Sequence, residues 1–244
     1  MNRNERQRQL GMLLSGLPRF TPKNDYRICH INERTPSLLL QDLIEMARKT
    51  TQYTIDTEND YRTHQPALIQ IEYVRERSVV LLVEVGHLPH RSSTLFWLMQ
   101  SLFKAILKPS HTILSWGDGA SELASFLSCG LFFPAMIDEM CMINVQDRFK
   151  GWYNKRYPHT CGLTFSDDHI SCICHHRPVK DSNHPWSLQK AVAWTFCQFL
   201  DKRYTKSNWS RPLDYGDGQS SAMIDYAASD CLAVTKLFAV IGHK

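Results

Sequence analysis

Asp56 and Glu58 stand two residues apart where the alternating run Tyr53-Thr54-Ile55 ends. In a β-strand, residues i and i+2 point to the same face, so the two carboxylates would lie side by side. Two negative charges at that distance repel each other and are costly to bury without a counter-charge. A divalent cation relieves this repulsion, and oxygen ligands suit Mg²⁺ or Mn²⁺. On these residues alone, a polar strand end without a metal remains the favoured interpretation.

Two further motifs carry acids later in the chain. Asp118 lies between two glycines directly after the apolar stretch 112–116, and strand ends are where α/β folds assemble their sites. Aspartate also caps helix N-termini well, and that role is the simpler explanation for Asp118 by itself. Tyr226 and Asp230 are four residues apart, so on a helix they share a face. A buried hydrogen-bonded pair is the structural alternative for these two.

The hydrophobic pattern predicts the elements that would position these acids. The predicted strands are 26–31, 53–58, 67–74, 78–85, 111–116 and 140–145. The first predicted helix begins at about Ser37. The other predicted helices cover 94–107, 120–127, 146–155, 186–203 and 221–240. Three strands followed by alternating helices and strands indicate an α/β fold in which a mixed sheet is flanked by helices.

Composition limits the class of protein. Of 244 residues, 43% are hydrophobic and 21% are charged, as in folded proteins. The net charge of +4 is compatible with a polyanionic partner without establishing one. Neither a secretory signal nor a stretch able to span a bilayer is evident, so we expect reduced cysteines, an intracellular location and no membrane partner. Residues 1–24 are predicted to be a basic, loosely ordered leader with a short helix at about 10–17, and 25–244 one domain.

The motifs, taken in order, resemble those of a known enzyme family. Asp-x-Glu after a strand, Asp at the end of a later strand and Tyr-x-x-x-Asp in a C-terminal helix resemble the DEDDy 3′→5′ exonucleases. That family contains ribonuclease D and the Werner-syndrome-type exonuclease domain. The segments 187–190, 200–202 and 207–213 also resemble the part of the family that precedes its last motif. The resemblance extends over about residues 26–241 and implies a ribonuclease H-like fold.

The resemblance also implies a reaction. Asp56, Glu58, Asp118 and Asp230 would hold two Mg²⁺ or Mn²⁺ ions roughly 3.5–4 Å apart, and Tyr226 would orient the attacking water. Phosphodiester hydrolysis at the 3′ end of single-stranded or frayed DNA or RNA would then release nucleoside monophosphates. The alternative is a catalytically silent domain that binds nucleic acid or a protein as an adaptor.

Other residues are candidates for substrate contact. Trp116 and Trp209 could stack on bases, and Lys202 and Arg211 could meet phosphate groups. Structural packing is the alternative for both tryptophans. Met223 stands where the family usually has glutamine, and the segment between Leu213 and Tyr226 is longer than the family pattern. Both departures lie beside the site and leave the predicted metal ligands unchanged.

A cysteine- and histidine-rich segment is a candidate for a second kind of metal site. The run Cys172-Ile173-Cys174-His175-His176, with Cys161 upstream, contains the residue types that ligate zinc. Its spacing does not fit the usual paired Cys-x-x-Cys arrangement. A structural Zn²⁺ is therefore not expected.

Overall fold

A mixed sheet lies at the centre of the computed structural model, which describes residues 3–160, 174, 183–213 and 218–242. The six strands are β1 (Tyr26–Ile31), β2 (Gln52–Asn59), β3 (Pro66–Tyr73), β4 (Ser78–Glu84), β5 (Thr112–Ser115) and β6 (Cys141–Asn144). The helices are α1 (Arg3–Leu14), α2 (Ser37–Arg48), α3 (Thr94–Ile106), α4 (Gly119–Ala124), α5 (Pro134–Asp138), α6 (Val145–Arg156), α7 (Leu188–Phe196) and α8 (Gly218–Ile241). The predicted α/β class with a mixed sheet flanked by helices is confirmed.

The strand order, β1-β4-β3-β2-β5-β6, decides which chain ends meet. Strands β2, β3 and β4 form an antiparallel meander, β1 runs parallel to β4, and β5 and β6 run parallel to β2. Five strands therefore end at the same edge of the sheet, and β3 alone runs the other way. In open α/β sheets this edge is where ligand sites form.

Side-chain alternation divides the core into two layers. Ile69, Ile71 and Leu81 point toward α2 and α3, whereas Leu68 and Leu82 point toward α8. Because both faces of β3 and β4 are covered, almost every residue of these strands is buried. Residues of β2 alternate in the same way, so the register of this strand decides which of its side chains face α8.

Helix α8 is the longest described element, at 24 residues, and packs across β2, β3, β4 and β5. The small residues Ala227 and Ala228 are fully buried, which lets the helix lie close to the sheet. Neither α8 nor any other helix in the described ranges combines the length and apolarity needed to cross a membrane.

The helix predicted over 186–203 ends early, at Phe196. Cys197 adopts a left-handed backbone conformation (φ 52°), and its N–H donates to the Ala193 carbonyl to close the helix. Phe199 then forms an isolated parallel bridge with Arg19. Sequence periodicity missed this ending because Phe199 continues the apolar spacing of the helix. As a result, Lys202 lies outside α7 on a separate segment.

The predicted leader contains more regular structure than expected. The helix α1 begins earlier and is longer than the short helix predicted at about residues 10–17. The core on the α8 side of the sheet consists of two groups of buried residues, and Phe20 packs against both. The Phe20 N–H also donates to the carbonyl of Phe199 at 2.9 Å. The end of the leader is thus attached to the rest of the fold.

Candidate active site

Strand β2 carries two acids to the sheet edge. Thr54 Oγ1 lies 2.6 Å from Thr235 Oγ1 of α8, which shows that this set of β2 side chains faces the helix. Asp56 and Glu58 continue on the same face, and Glu58 is 9% exposed. A register irregularity between Glu58 and Asn59 marks the place where regular pairing with β3 ends. The two acids therefore occupy the last regular positions of the strand.

Helix α8 brings the Tyr226/Asp230 pair to the same place. Asp230 is fully buried, and the Tyr226 side chain is almost so. One carboxylate oxygen from each of Asp56, Glu58 and Asp230 lies within 4.8 Å of the other two. We call these three residues the acid cluster. The structure brings together four of the five residues predicted to be catalytic, because Tyr226 lies beside the cluster.

Burial makes the cluster unfavourable for negative charge. Burial, together with the charge of Asp230, raises the pKa of Asp56 to about 7. Burial and the neighbouring Asp56 raise the pKa of Glu58 well above its ordinary value. Burial also raises the pKa of Asp230, although a nearby ammonium works in the opposite direction. Without more positive charge, the three carboxyl groups cannot all be ionised cheaply.

That ammonium belongs to Lys202. Its Nζ donates to Asp230 Oδ2 at 2.6 Å and to the Tyr226 hydroxyl at 3.2 Å. Burial alone would lower the pKa of Lys202, but the charges of Asp230, Asp56 and Glu58 outweigh it and raise that pKa. One ammonium against three carboxylates leaves two negative charges uncompensated when all are ionised. One divalent cation would therefore balance the charge of the cluster.

A second observation fits a metal ion. Asp230 Oδ1 is buried and has no hydrogen-bond partner among the described residues. Leaving a buried carboxylate oxygen without a partner is costly. The donor set consists of carboxylate oxygens, which are the ligands that Mg²⁺ and Mn²⁺ prefer. Asp56, Glu58 and Asp230 are therefore suited to hold such an ion.

Comparisons with known proteins agree with this arrangement at the level of the fold. No family model and no curated protein matches the sequence. Among solved structures, the Nibbler EXO domain of Aedes aegypti is 14% identical with a TM-score of 0.59, and the match covers 92% of this chain and 90% of that one. Escherichia coli RNase D, an exoribonuclease, is 20% identical with a TM-score of 0.53 over 88% of this chain and 44% of that one.

A Trypanosoma brucei RNase D, solved in complex with RNA U12, is 16% identical with a TM-score of 0.56 over 96% of this chain and 67% of that one. The chain described here therefore shares its fold with these ribonuclease D structures. The resemblance inferred from the sequence motifs is confirmed at that level. The chain spans less than half the length of the Escherichia coli enzyme, and identities this low concern the fold alone.

Within this ribonuclease D-like fold, the predicted ligand Asp118 is not one of the acids whose oxygens lie within 4.8 Å of one another. It caps the N-terminus of α4, where Oδ1 accepts from the Ser121 N–H at 3.1 Å and Oδ2 from the Ser121 hydroxyl at 2.6 Å. These hydrogen bonds lower the pKa of the exposed Asp118 carboxyl. Asp118 therefore caps a helix in the structure, which is the alternative to metal binding that its position in the sequence allowed.

An acid that the sequence analysis did not single out lies one turn further along α4. Glu122 is partly buried, and its negative charge contributes to the raised pKa of Asp56. Burial first, and the charge of Asp118 second, raise the pKa of Glu122 itself. The spacing contained a usable signal, because Glu122 is four residues after Asp118 and shares its helix face.

The residues predicted to contact substrate have different environments. The Trp116 indole N–H donates to the Trp186 carbonyl at 3.0 Å. Trp209 is buried, with its ring 5.7 Å from that of Tyr226. Packing therefore explains Trp209, whereas Trp116 is partly exposed and packs against Phe149 with the ring centroids 5.8 Å apart. Lys202 binds within the acid cluster, whereas Arg211 is exposed.

The remaining sequence features lie partly outside the described residues. Met223 is buried in the cluster that also contains Trp209 and Tyr226, so the departure from the family's glutamine adds packing beside the site. Much of the long segment before Tyr226 is the first part of α8, which begins at Gly218. Of the cysteine- and histidine-rich run, only Cys174 is described, and its Sγ lies 3.9 Å from His159 Nδ1. Cys161, Cys172, Ile173, His175 and His176 lie outside the described residues.

Proposed function

We propose that this protein is a metal-dependent 3′→5′ exonuclease that hydrolyses phosphodiester bonds at the 3′ end of a single nucleic acid strand and releases nucleoside monophosphates. One observation carries the proposal. Three acids from two distant segments converge at the edge of a ribonuclease D-like sheet, and the buried Asp230 Oδ1 lacks a partner within the described chain. Packing alone gives no reason to bury such a group.

Asp56, Glu58 and Asp230 hold the metal in this proposal, and Glu122 serves as the fourth acid. Asp118 is the less suitable fourth ligand in this proposal, because it is exposed and its carboxylate caps α4. Bound divalent cations supply charge that activates water and stabilises the phosphate and the departing oxygen in the transition state. The contribution of the Glu122 charge to the raised pKa of Asp56 supports this choice.

The chain's own residues complete the chemistry. Burial and the charges of Asp230 and Glu58 raise the pKa of Tyr226 well above its ordinary value, so the phenol stays protonated at neutral pH. A protonated phenol cannot serve as a base, but it can orient a water molecule by hydrogen bonding. Thr205 Oγ1, 3.0 Å from the phenol oxygen, fixes the position of that oxygen. Lys202 offsets one negative charge, and it becomes available to a substrate phosphate when a cation binds Asp230.

The same lysine favours one alternative function. Its ammonium already contacts Asp230, as a permanent internal cation would in a domain that has lost metal binding. Such a domain would bind nucleic acid or a protein as a silent adaptor. The two functions predict different responses to metal: Mg²⁺ stabilises the exonuclease against heat and leaves the silent adaptor unchanged.

Matched RNA and DNA oligonucleotides, labelled at the 3′ terminal nucleotide, test the proposal directly. Wild-type protein should release labelled mononucleotide with Mg²⁺ or Mn²⁺ and none with EDTA, and comparison of the two strands identifies the preferred substrate. Asp56→Asn is the matched control, since it removes one charge and keeps the side-chain volume. Equal shortening by wild type and Asp56→Asn, or no metal-dependent shortening, would contradict the proposal.

A further inference from the structure

An exposed tyrosine follows the end of β2, three residues after Glu58 of the acid cluster, and does not belong to the core. The exposed large aromatic side chains of the described chain are those of Tyr61, Trp97, Phe133 and Trp194. Tyr61, 51% exposed, follows Glu58 by three residues, so the two Cα atoms are at most about 10 Å apart. The other three lie on segments that carry no member of the acid cluster. Tyr61 therefore lies just beyond the end of β2 that carries Glu58, with about half of its side chain exposed.

The backbone that holds Tyr61 is fixed by hydrogen bonds. The neighbouring Asp60 is 1% exposed, and its side chain accepts from three backbone N–H groups, those of Arg62, Thr63 and Ser210. The Tyr61 N–H itself donates to the Ser207 carbonyl at 3.0 Å. The turn after β2 is thereby tied to the segment that carries Lys202. An aromatic ring on such a fixed turn loses little conformational freedom when a ligand binds.

A cation stands over the same ring. Lys206 Nζ lies 5.5 Å from the Tyr61 ring centroid. Lys206 ends the short 3₁₀ helix Arg203–Lys206, which directly follows Lys202, the residue that contacts Asp230. The imidazole of His64 meets the ring in an edge-on arrangement at 6.5 Å. The Tyr61 ring and the Lys206 ammonium are therefore neighbours. Along the chain, Tyr61 follows Glu58 by three residues and Lys206 follows Lys202 by four.

We propose that Tyr61 and Lys206 form a binding subsite for a nucleotide adjacent to the scissile phosphate. The Tyr61 ring stacks on the nucleobase, and the Lys206 ammonium pairs with a backbone phosphate of the same strand. The inference rests on the proposed exonuclease function and adds the residues that hold the strand. Since every base has a π-face, this subsite accepts any of the bases, and its phosphate contact is sensitive to salt.

A packing role for Tyr61 predicts something different. If the ring served only to cover Lys206 and His64, its removal would change thermal stability and leave strand binding unaltered. A stacking role requires an interaction with one particular base of the substrate. An oligonucleotide that lacks this base therefore distinguishes the two roles, because it removes the partner of Tyr61 without changing the protein.

The experiment compares wild type, Tyr61→Ala, Tyr61→Phe and the control Trp97→Ala on four oligonucleotides. One is intact, and each of the others lacks the base at the first, second or third position from the 3′ end. On the intact strand, Tyr61→Ala should lower kcat/KM by roughly five- to hundredfold, mainly through KM. Trp97→Ala should resemble wild type, and Tyr61→Phe, which keeps an aromatic ring, should restore most of the activity that Tyr61→Ala loses. At one of the three positions, removal of the base should lower the kcat/KM of wild type by a similar factor. The kcat/KM of Tyr61→Ala should not fall further when the same base is removed.

Two results would overturn the subsite: equal activity of Tyr61→Ala and Trp97→Ala, or a base-removal cost that is the same in wild type and Tyr61→Ala at all three positions. If wild type shortens no strand, the exonuclease proposal fails by itself. Fluorescence anisotropy of a labelled strand then still decides the subsite: Tyr61→Ala should weaken binding at least fivefold, and unchanged binding rejects it. Lys206→Ala should lower the dependence of strand binding on salt concentration.

Discussion

Glu84 and the acid cluster lie at the same edge of the sheet and have opposite surroundings. Glu84, at the end of β4, is 2% exposed and accepts hydrogen bonds from the Asn32 amide and the Leu213 N–H, each at 2.8 Å. His30 Nδ1 lies 3.6 Å from the same carboxylate. Burial opposes ionisation, but these partners outweigh it and lower the pKa of Glu84. In the acid cluster, burial dominates and every carboxyl pKa is raised.

The difference separates a structural carboxylate from a ligand-binding one. Glu84 is satisfied by neutral donors and a histidine, so it joins β1, β4 and the segment before α8 without any added ion. The acid cluster receives one ammonium and retains an oxygen without a partner in the described chain. Position at a sheet edge is therefore insufficient to identify a site, and the number of donors around each carboxylate is the informative quantity.

The largest expected effect comes from removing a charge within the cluster. Asp56→Asn should lower the rate of nucleotide release by roughly 10³-fold or more, because it removes a ligand and transition-state stabilisation. Without metal, the same variant should be as stable as wild type or more stable, since the ionised Asp56 is unfavourable there. Turnover with Mg²⁺ and thermal unfolding in EDTA measure the two effects. A large loss of stability in EDTA would contradict the contrast with Glu84.

The fourth acid gives a smaller effect and an internal control. Glu122→Gln should reduce activity roughly 10- to 100-fold, in the range observed when a residue supporting a metal site is lost. Asp118→Asn should stay within a fewfold of wild type, because asparagine caps helices as well as aspartate does. Initial rates at several Mg²⁺ concentrations give both numbers. The reverse ranking would return the ligand role to Asp118.

Glu84 should show the opposite behaviour to Asp56. Glu84→Ala leaves the Leu213 N–H and the Asn32 amide without their acceptor, and we expect a loss of roughly 2–4 kcal/mol in the free energy of unfolding. The folded fraction should still respond to Mg²⁺ with an increase in thermal stability like that of wild type. Chemical denaturation with and without Mg²⁺ measures both. If folded Glu84→Ala protein were no longer stabilised by Mg²⁺, Glu84 and the acid cluster would be coupled.

The smallest effect is a dependence of stability on pH. In EDTA, the native Asp56 keeps its proton up to about pH 7, whereas the unfolded chain releases it near pH 3.8. The native state binds more protons in this window, so the free energy of unfolding should fall as pH rises from about 4 to about 7. After allowance for partial exposure, the Asp56 contribution is roughly 1–2 kcal/mol. Denaturant titrations of wild type and Asp56→Asn should differ in this slope, and parallel curves would contradict the assignment.

Much of the fold was predictable because apolar spacing follows burial. Strands β1 to β6 lie within a residue or two of the predicted ranges, since their apolar residues are contiguous or alternate. The grouping of Asp56 and Glu58 with Asp230 required the motif resemblance in addition, because the two segments are far apart in sequence. Asp118 was placed on the correct element, but spacing could not determine that the Ser121 hydroxyl and N–H engage its oxygens.

Other features were unpredictable because they depend on contacts between distant segments. The helix α7 ends at the left-handed Cys197, and Phe199 then pairs with the distant Arg19, a contact that apolar periodicity cannot predict. The place of Lys202 follows from that ending. Nothing in the spacing of the sequence marks Tyr61, because the cation over its ring is in place only after residues 203–207 fold against the β2–β3 turn.

The early end of α7 limits how the length of this chain can change. From Cys197 the backbone covers five residues before Lys202, and it is held at both ends by the left-handed cap and by the ammonium's contact with Asp230. An insertion or deletion of one residue here would shift the ammonium by about 3.3–3.6 Å, more than the length of its hydrogen bond. The short connection from α7 to Lys202 thus acts as a spacer of fixed length. Relatives that retain a charged partner for Asp230 at this place should vary in composition along it but not in residue number.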